Sequence, residues 1–234
     1  MPVWGTITSA IDIEQWEPAS WMVVATGVIA LAAVALDDVW RWSRNVVTIV
    51  HEGGHALAAV VTGRRLTGIR LHSDTSGLTL SVGRPSGPGM VVTTAAGYLS
   101  PSLIGLAGVA LLAADQVTVM LWGAAALLVA MLVMIRNAYG AATLVVCGGV
   151  VVGLSLYASP GTQAAFGYAI TWFLLFGAVR PVGELWRQRR RQEGRYSDAA
   201  QLARITPLPT GVWVAFFGLA TLAALAAGAL LLLT

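Results

Sequence analysis

Of the 234 residues, 57% are hydrophobic and 11% are charged, and the mean hydropathy is +0.75. Soluble domains carry about 25% charged residues, so the composition excludes a water-soluble fold and predicts an integral membrane protein in contact with a lipid bilayer. The formal net charge is +3, and all 14 basic residues are arginines. They lie in short gaps between apolar segments, which is typical of membrane proteins and argues against nucleic acid as a partner.

Seven apolar segments are candidates for transmembrane helices, since about 20 apolar residues cross a bilayer. They cover residues 21–36, 45–62, 90–113, 117–135, 138–157, 164–179 and 212–233. We expect an all-α polytopic membrane protein with about six to seven transmembrane helices, forming a single integral membrane domain over residues 1–234. The segment 180–210 between the last two spans is polar and arginine-rich, and it is expected to be a loop.

A polar insert at residues 63–89 follows the second span. Its residues 66–71 and 78–82 have strand character and are separated by the turn-like residues 73–77, which predicts a β-hairpin. His72 is expected to be a solvated loop residue. The hairpin is either a plain connector or an exposed edge that holds an unwound peptide by β-augmentation.

The arginines indicate an orientation, because cytoplasmic loops carry an excess of them. If the segment 180–204 is cytoplasmic, Arg136 and the hairpin arginines are cytoplasmic too, and the Asp115 loop lies outside. Arg41 and Arg44 disagree, since strict alternation of seven spans places them outside.

The second span contains the sequence His51-Glu52-Gly53-Gly54-His55. Residues four apart share one face of a helix, so both imidazoles can bind one Zn²⁺ while Glu52 acts as general base on a water molecule that the metal acidifies. Ionisable residues inside a span cost at least about 2.5–3.5 kcal/mol each on the insertion scale. A bound metal explains three of them within five residues better than chance does.

This motif and several later segments resemble the site-2 protease superfamily, peptidase family M50, and most closely its M50B-like bacterial branch. The similar segments are residues 51–59, Thr62-Gly63, Ser76-Gly77, residues 96–105, residues 136–140 and Ser197-Asp198-Ala199. The resemblance implies a zinc-dependent endopeptidase that cleaves membrane-embedded protein substrates, in a multi-pass protein of the bacterial cell membrane.

The identity of the third metal ligand is left open, because the Asp-Gly motif typical of site-2 proteases is absent from the span 138–157. Asp198 offers a carboxylate, although Ser197-Asp198 equally fits the N-cap of a helix. Asn137 is an alternative but weaker ligand, and an interhelical hydrogen bond explains it better. Cys147 is expected to be a packing residue.

The sequence therefore predicts an intramembrane zinc metalloprotease with His51, His55 and Asp198 as ligands. A catalytically inactive scaffold or metal-binding protein is the main alternative, and the missing Asp-Gly motif favours it. A transporter is disfavoured, because no pair of interrupted spans repeats in two halves. Since the segments outside the spans are short, regulation is expected from a membrane partner or from the hairpin.

Overall fold

A computed structural model describes residues 20–190 and 197–234, without the side chains of residues 189 and 190. Within these ranges the chain forms eight helices and one antiparallel pair of strands. In chain order they are α1 (Ser20–Ala35), α2 (Asp37–Val61), β1 (Arg65–Leu71), β2 (Gly77–Val82), α3 (Pro88–Ala113), α4 (Val117–Met134), α5 (Ala138–Tyr157), α6 (Pro160–Arg190), α7 (Asp198–Ile205) and α8 (Thr210–Leu233). The predicted all-α polytopic fold with a small hairpin is confirmed.

Five described helices, α3, α4, α5, α6 and α8, are long and apolar enough to cross a membrane, and α1 with α2 together supply up to one more span. Only 11% of the most apolar window of α4 and 17% of that of α5 is buried inside the protein. Most of both helices is therefore left to contact lipid. Of the six to seven expected spans, the described residues supply five, or six when α1 and α2 are counted as one, because these two helices do not qualify separately.

The bend between α1 and α2 measures 102° and occurs at Leu36, whose backbone is extended. Arg180 of α6 holds this bend by donating to the carbonyl groups of Val34 and Ala35 and by pairing with Asp37. The last carbonyl groups of a helix lack intrahelical donors. One arginine thus satisfies the end of α1 and neutralises an acid in the first turn of α2.

Both ends of α2 lie at the same end of the bundle. Near its start, Arg44 pairs with Glu184 of α6 at 3.5 Å. At its end, the Thr62 hydroxyl lies 3.3 Å from that of Thr93, in the first turns of α3. Arg44 and its neighbour Arg41 therefore lie near the end of the bundle where α6 ends and α3 begins, whereas strict alternation of seven spans places them at the opposite end.

The core of the bundle is a close antiparallel contact between α3 and α6. A Cβ atom at Gly108 would lie 2.5 Å from the Thr171 hydroxyl oxygen, and one at Gly105 would lie 2.9 Å from a Leu175 methyl carbon. Small residues let membrane helices approach this closely. The helix α1 packs on another face of α6.

The hairpin agrees with the sequence-based prediction, since the strands at 66–71 and 78–82 each gain one residue at their start. The outer edge of β1 is covered by the segment between α4 and α5. There Arg136 donates its N–H to the Ile69 carbonyl group at 2.8 Å. The Asn137 side chain binds both the N–H and the carbonyl group of Leu71.

The strand β2 is the open edge of this two-stranded sheet. The backbone groups of Ile69 and Leu71 form these hydrogen bonds on the side of β1 that faces away from β2. In the register of the hairpin, Ile69 lies opposite Thr79 and Leu71 lies opposite Gly77. In an antiparallel pair, residues that face each other without exchanging hydrogen bonds direct their backbone groups away from the partner strand. Gly77 and Thr79 therefore direct backbone N–H and carbonyl groups away from β1.

The polar segment 180–210, expected to be a loop, is largely helical. Its first part continues α6 to Arg190, and its last part contains α7. Arg, Gln and Leu are good helix formers, so a run of charge does not end a helix. Residues 191–196, with Arg191 and Arg195, lie outside the described residues, as do residues 1–19.

Candidate metal centre

His51 and His55 project from one face of α2 towards a common point. Their Nε2 atoms are 3.1 Å apart. Oδ2 of Asp198 lies 3.1 Å from Nε2 of His51 and 3.3 Å from Nε2 of His55. All three ligand atoms fall within 4.8 Å of one another. The structure thus brings the two histidines of the motif together with the acid from the distant polar segment.

Asp198 reaches this point because it is the first residue of α7. Ser197 is the N-cap of that helix and accepts a hydrogen bond from the Ala200 N–H at 3.3 Å. Ala199 and Leu202 are fully buried and anchor the helix. From the sequence, Ser197-Asp198 could be a helix N-cap or could supply a metal ligand. In the structure Ser197 is the N-cap, and Asp198 lies beside the two histidines.

The surroundings of Asp198 favour its ionised form. Burial alone would raise the pKa of this carboxyl group. The two adjacent histidines, His55 first, instead hold its pKa well below the usual range. A metal ligand must be deprotonated, so this carboxylate is suited to that role.

Asn137 does not belong to the group of metal-ligand candidates. Its Oδ1 accepts from the Leu71 N–H at 3.2 Å, and its Nδ2 donates to the Leu71 carbonyl group at 2.6 Å. The side-chain amide of Asn137 therefore takes the place of a strand partner for β1. It forms neither a metal-ligand contact nor an interhelical hydrogen bond. His72 is exposed in the hairpin loop. Cys147 packs against the apolar cluster beneath the hairpin.

His55 is fixed by a bond from its other ring nitrogen. Nδ1 lies 2.7 Å from the carbonyl oxygen of Thr93 in α3. When Nδ1–H donates to that carbonyl group, Nε2 of the neutral ring is free to bind a metal. Gly97, one turn further along α3, leaves the space that the rings fill, since a Cβ atom there would lie 2.4 Å from Nε2 of His55.

Glu52 is buried, with 4% of its surface exposed, and the hairpin holds it. The Thr79 hydroxyl donates to Oε2 at 2.6 Å. A Cβ atom at Gly77 would lie 2.5 Å from Oε1, so only glycine fits there without displacing the carboxylate. The strand β2 therefore sets the position of the acid next to the two histidines.

A cavity of about 500 Å³ opens onto these side chains. The open edge of β2 lines one wall, and Tyr98 of α3 lines another. Polar residues of three helices complete the lining, among them Arg44, Gln188 and Gln201. Such a cavity admits water and an extended segment of peptide to residues that otherwise lie among apolar helices.

Several residues of this site were not identified from the sequence. Thr79 and Thr93 carry no motif of their own, and only their contacts with Glu52 and His55 reveal them. Gly77, Gly97 and Tyr98 lie in segments noted for family resemblance. Their closeness to the acid and to the rings could not be derived from spacing.

The donor set fits zinc. Catalytic zinc sites use three protein ligands, and two histidines with one carboxylate are a common set. Donors about 2.0–2.1 Å from a tetrahedral centre lie roughly 3.3 Å apart, close to the 3.1 and 3.3 Å separations observed among His51, His55 and Asp198. The three side chains can therefore surround one ion with little movement.

Comparison with known proteins points to one family. The family model described as Peptidase M50B-like matches residues 24–228. That range includes the two histidines, Glu52, the hairpin and Asp198. No curated protein and no solved structure matches the chain.

Proposed function

Because the chain belongs to the Peptidase M50B-like family, a family of zinc metalloproteases, we propose that it is an intramembrane zinc metalloprotease acting on membrane-embedded protein substrates. The observation that carries this proposal is the convergence of His51, His55 and Asp198 beside a buried Glu52. In this proposal the first three residues hold the zinc ion and Glu52 is the general base.

A zinc ion held by these three residues would supply a Lewis acid and would acidify a nearby water molecule. Glu52 would accept a proton from the attacking water and would later pass it to the leaving amine. The Thr79 hydroxyl keeps the carboxylate in place. The bond from His55 to the Thr93 carbonyl group keeps the ring in the tautomer that leaves Nε2 free.

The depth of the site supports an intramembrane reaction. Gly97, which touches both histidines, lies about 14 Å along α3 from its first residue, at a rise of about 1.5 Å per residue. The helices around it are apolar enough to cross a bilayer. Water has to reach the site through the polar cavity, whose lining includes Arg44, Gln188 and Gln201 at the arginine-bearing end.

The open edge of β2 is suited to holding the substrate. A helical peptide bond is shielded because its carbonyl group is already hydrogen-bonded, so the substrate has to be extended before attack. Gly77 and Thr79 offer free backbone groups beside Glu52, and an extended peptide can pair with them as an added strand. The peptide would then run past the metal site.

Location and partners follow from this assignment as proposals. The protein would be a multi-pass component of a bacterial cell membrane, with transmembrane proteins as substrates. A membrane partner would regulate access. The inactive scaffold has less support, because Asp198 offers the carboxylate whose absence from the span 138–157 suggested inactivity.

The test is cleavage of fluorescein-labelled casein, an unstructured general protease substrate, by the purified protein in detergent. Removal of a general base lowers rates by about 10²–10⁴-fold, so Glu52→Gln should lose activity by that factor and retain its zinc. Asp115→Asn, at the opposite end of the bundle, is the matched control and should behave as wild type. Equal cleavage by wild type and Glu52→Gln would reject the assignment.

A further inference from the structure

Tyr98 lies beside the metal centre with its ring fixed on two sides. Its ring stands edge-on to that of His51, with centroids 5.0 Å apart at 85°. Its other contact is a stack on Phe217 of α8, at 5.0 Å and 20°. Phe217 is fully buried, so α8 holds the tyrosine against the histidine.

The Tyr98 hydroxyl has no hydrogen-bond partner among the residues that the structure describes. Tyr98 lines the cavity together with His51, Glu52 and Asp198. Its side chain is half-buried, and its hydroxyl is not one of the fully enclosed polar atoms that lack a partner. The hydroxyl is therefore accessible and can donate to a molecule bound in the cavity.

Several other donors around the cavity are already engaged. The hydroxyls of Thr48, Thr79 and Thr93 donate to the carbonyl group of Thr75, the carboxylate of Glu52 and the carbonyl group of Gly89. Arg44 pairs with Glu184 and lies over the ring of Trp40. Tyr98 differs from these groups in having a rigid ring and an uncommitted proton.

Different parts of the chain hold Glu52 and Tyr98 beside the metal centre. The hairpin holds Glu52 next to His51, and α8 holds Tyr98 against the His51 ring. A peptide carbonyl group bound in the cavity between them would receive water activated at Glu52 and would place its oxygen towards the Tyr98 hydroxyl.

We propose that Tyr98 is a catalytic residue whose hydroxyl donates a hydrogen bond to the oxygen of the scissile carbonyl group as that oxygen becomes negative. This inference rests on the proposed protease function. The water oxygen bonds to the carbonyl carbon, Glu52 takes the water proton, and the carbonyl π electrons move onto the oxygen. Collapse then breaks the C–N bond, and the proton on Glu52 passes to the leaving amine. Tyr98 keeps its proton throughout.

The first test is the kinetics of Tyr98→Phe, which retains the ring and its stack on Phe217. Loss of one such donor lowers kcat by about 10²–10³-fold. We expect a fall in kcat of about that size on labelled casein, with KM changed less than twofold and zinc content unchanged. Tyr168→Phe, in a buried part of α6 away from the cavity, is the control. An unchanged kcat, or a rise in KM alone, would overturn the proposal.

The second test does not need turnover. Protein loaded with Co²⁺ is titrated with a tripeptide analogue whose scissile amide is replaced by an anionic phosphonate, and binding is followed by the visible Co²⁺ spectrum. Tyr98→Phe should bind it at least about tenfold more weakly than wild type and Tyr168→Phe, while the spectra without the analogue coincide. Equal binding by all three proteins would overturn the role of Tyr98. A wild type that binds the analogue tightly yet cleaves no casein would instead count against the protease function.

Discussion

At the scale of single residues, two glycines decide whether the metal centre can form. Gly97 leaves room for the imidazoles of His51 and His55, and Gly77 leaves room for the Glu52 carboxylate. Each glycine serves a different part of the site, so substituting them separates metal binding from proton transfer.

Gly97→Ala should lose zinc. The new methyl group would lie 2.4 Å from Nε2 of His55 and 2.7 Å from Cε1 of His51, so both rings would have to turn away from Asp198. We expect zinc affinity to fall at least tenfold, as the loss of ligand orientation costs about 10–100-fold. Competition with a chromophoric chelator measures this. Gly123→Ala, which meets open space in α4, should bind zinc as wild type does, and a wild-type affinity in Gly97→Ala would contradict the geometry.

Gly77→Ala should keep zinc but lose activity. Its methyl group would displace the Glu52 carboxylate, with Oε1 only 2.5 Å away, and a shift of about 1 Å can cost 10²-fold in rate. Metal analysis and casein cleavage on the same preparation check both parts. Gly148→Ala, which also meets open space, is the control. Full activity of Gly77→Ala would show that β2 does not position the acid.

The sequence was informative about ligands that lie close together in the chain. The i, i+4 spacing predicts the shared direction of His51 and His55 from helix geometry alone. Asp198 is brought to them by the packing of α7 and α8, and no local pattern distinguishes it from a capping residue. Asn137 was misjudged for the same reason, because its partner Leu71 lies in the hairpin.

At the scale of helices and strands, the bend between α1 and α2 sets where the site lies. A cluster at the end of α6 holds it: Glu184 accepts from the Trp40 indole N–H at 3.1 Å and pairs with both Arg44 and Arg180. The Arg180 guanidinium lies 5.0 Å from the centroid of the Trp40 ring. This cluster ties the start of α2 to α6 and so fixes the direction in which the motif helix enters the bundle.

Glu184→Gln should destabilise the protein by removing the charge that balances two arginines. Hydrogen bonds to charged groups contribute about 1.5–3 kcal/mol. For a chain of this size that corresponds to a fall of roughly 3–12 °C in the midpoint of thermal unfolding. Circular dichroism in detergent measures it, with Asp38→Asn as the control, since that acid is exposed and pairs with Arg41 on the surface. An unchanged midpoint would show that the cluster does not hold the bend.

Hydropathy predicted the apolar helices well, because composition alone decides whether a segment can face lipid. It failed at α2, which has the length of a span but follows α1 after a bend of 102°, so that the two helices together supply at most one span. That course depends on Arg180 and Glu184, about 140 residues further along the chain than the residues they bind. A pattern within one segment cannot reveal such a contact.

At the scale of the whole molecule, the described arginines gather at one end. The α1–α2 bend, the hairpin, Arg136, the last part of α6 and α7 all meet there. The opposite end carries Asp115 and no arginine among the described residues. Cytoplasmic surfaces of membrane proteins are enriched in arginine, so we infer that the mouth of the cavity faces the cytoplasm.

Cysteine labelling in cells tests this orientation. On a Cys147→Ala background, a membrane-impermeant maleimide applied outside should label Asp115→Cys and leave Arg204→Cys unlabelled until the membrane is permeabilised. Both substitutions lie outside the apolar spans, so the reagent can reach them once it is on the correct side. Labelling of Arg204→Cys alone in intact cells would mean the reverse orientation.

The central claim is that His51, His55 and Asp198 together hold one metal ion. Zinc analysis of the detergent-purified protein, by mass spectrometry, tests it most directly. We predict one zinc per wild-type chain, a large loss of zinc in Asp198→Ala, and retention in Asn137→Ala. A wild type without zinc, or an Asp198→Ala variant that keeps a full equivalent, would contradict the claim.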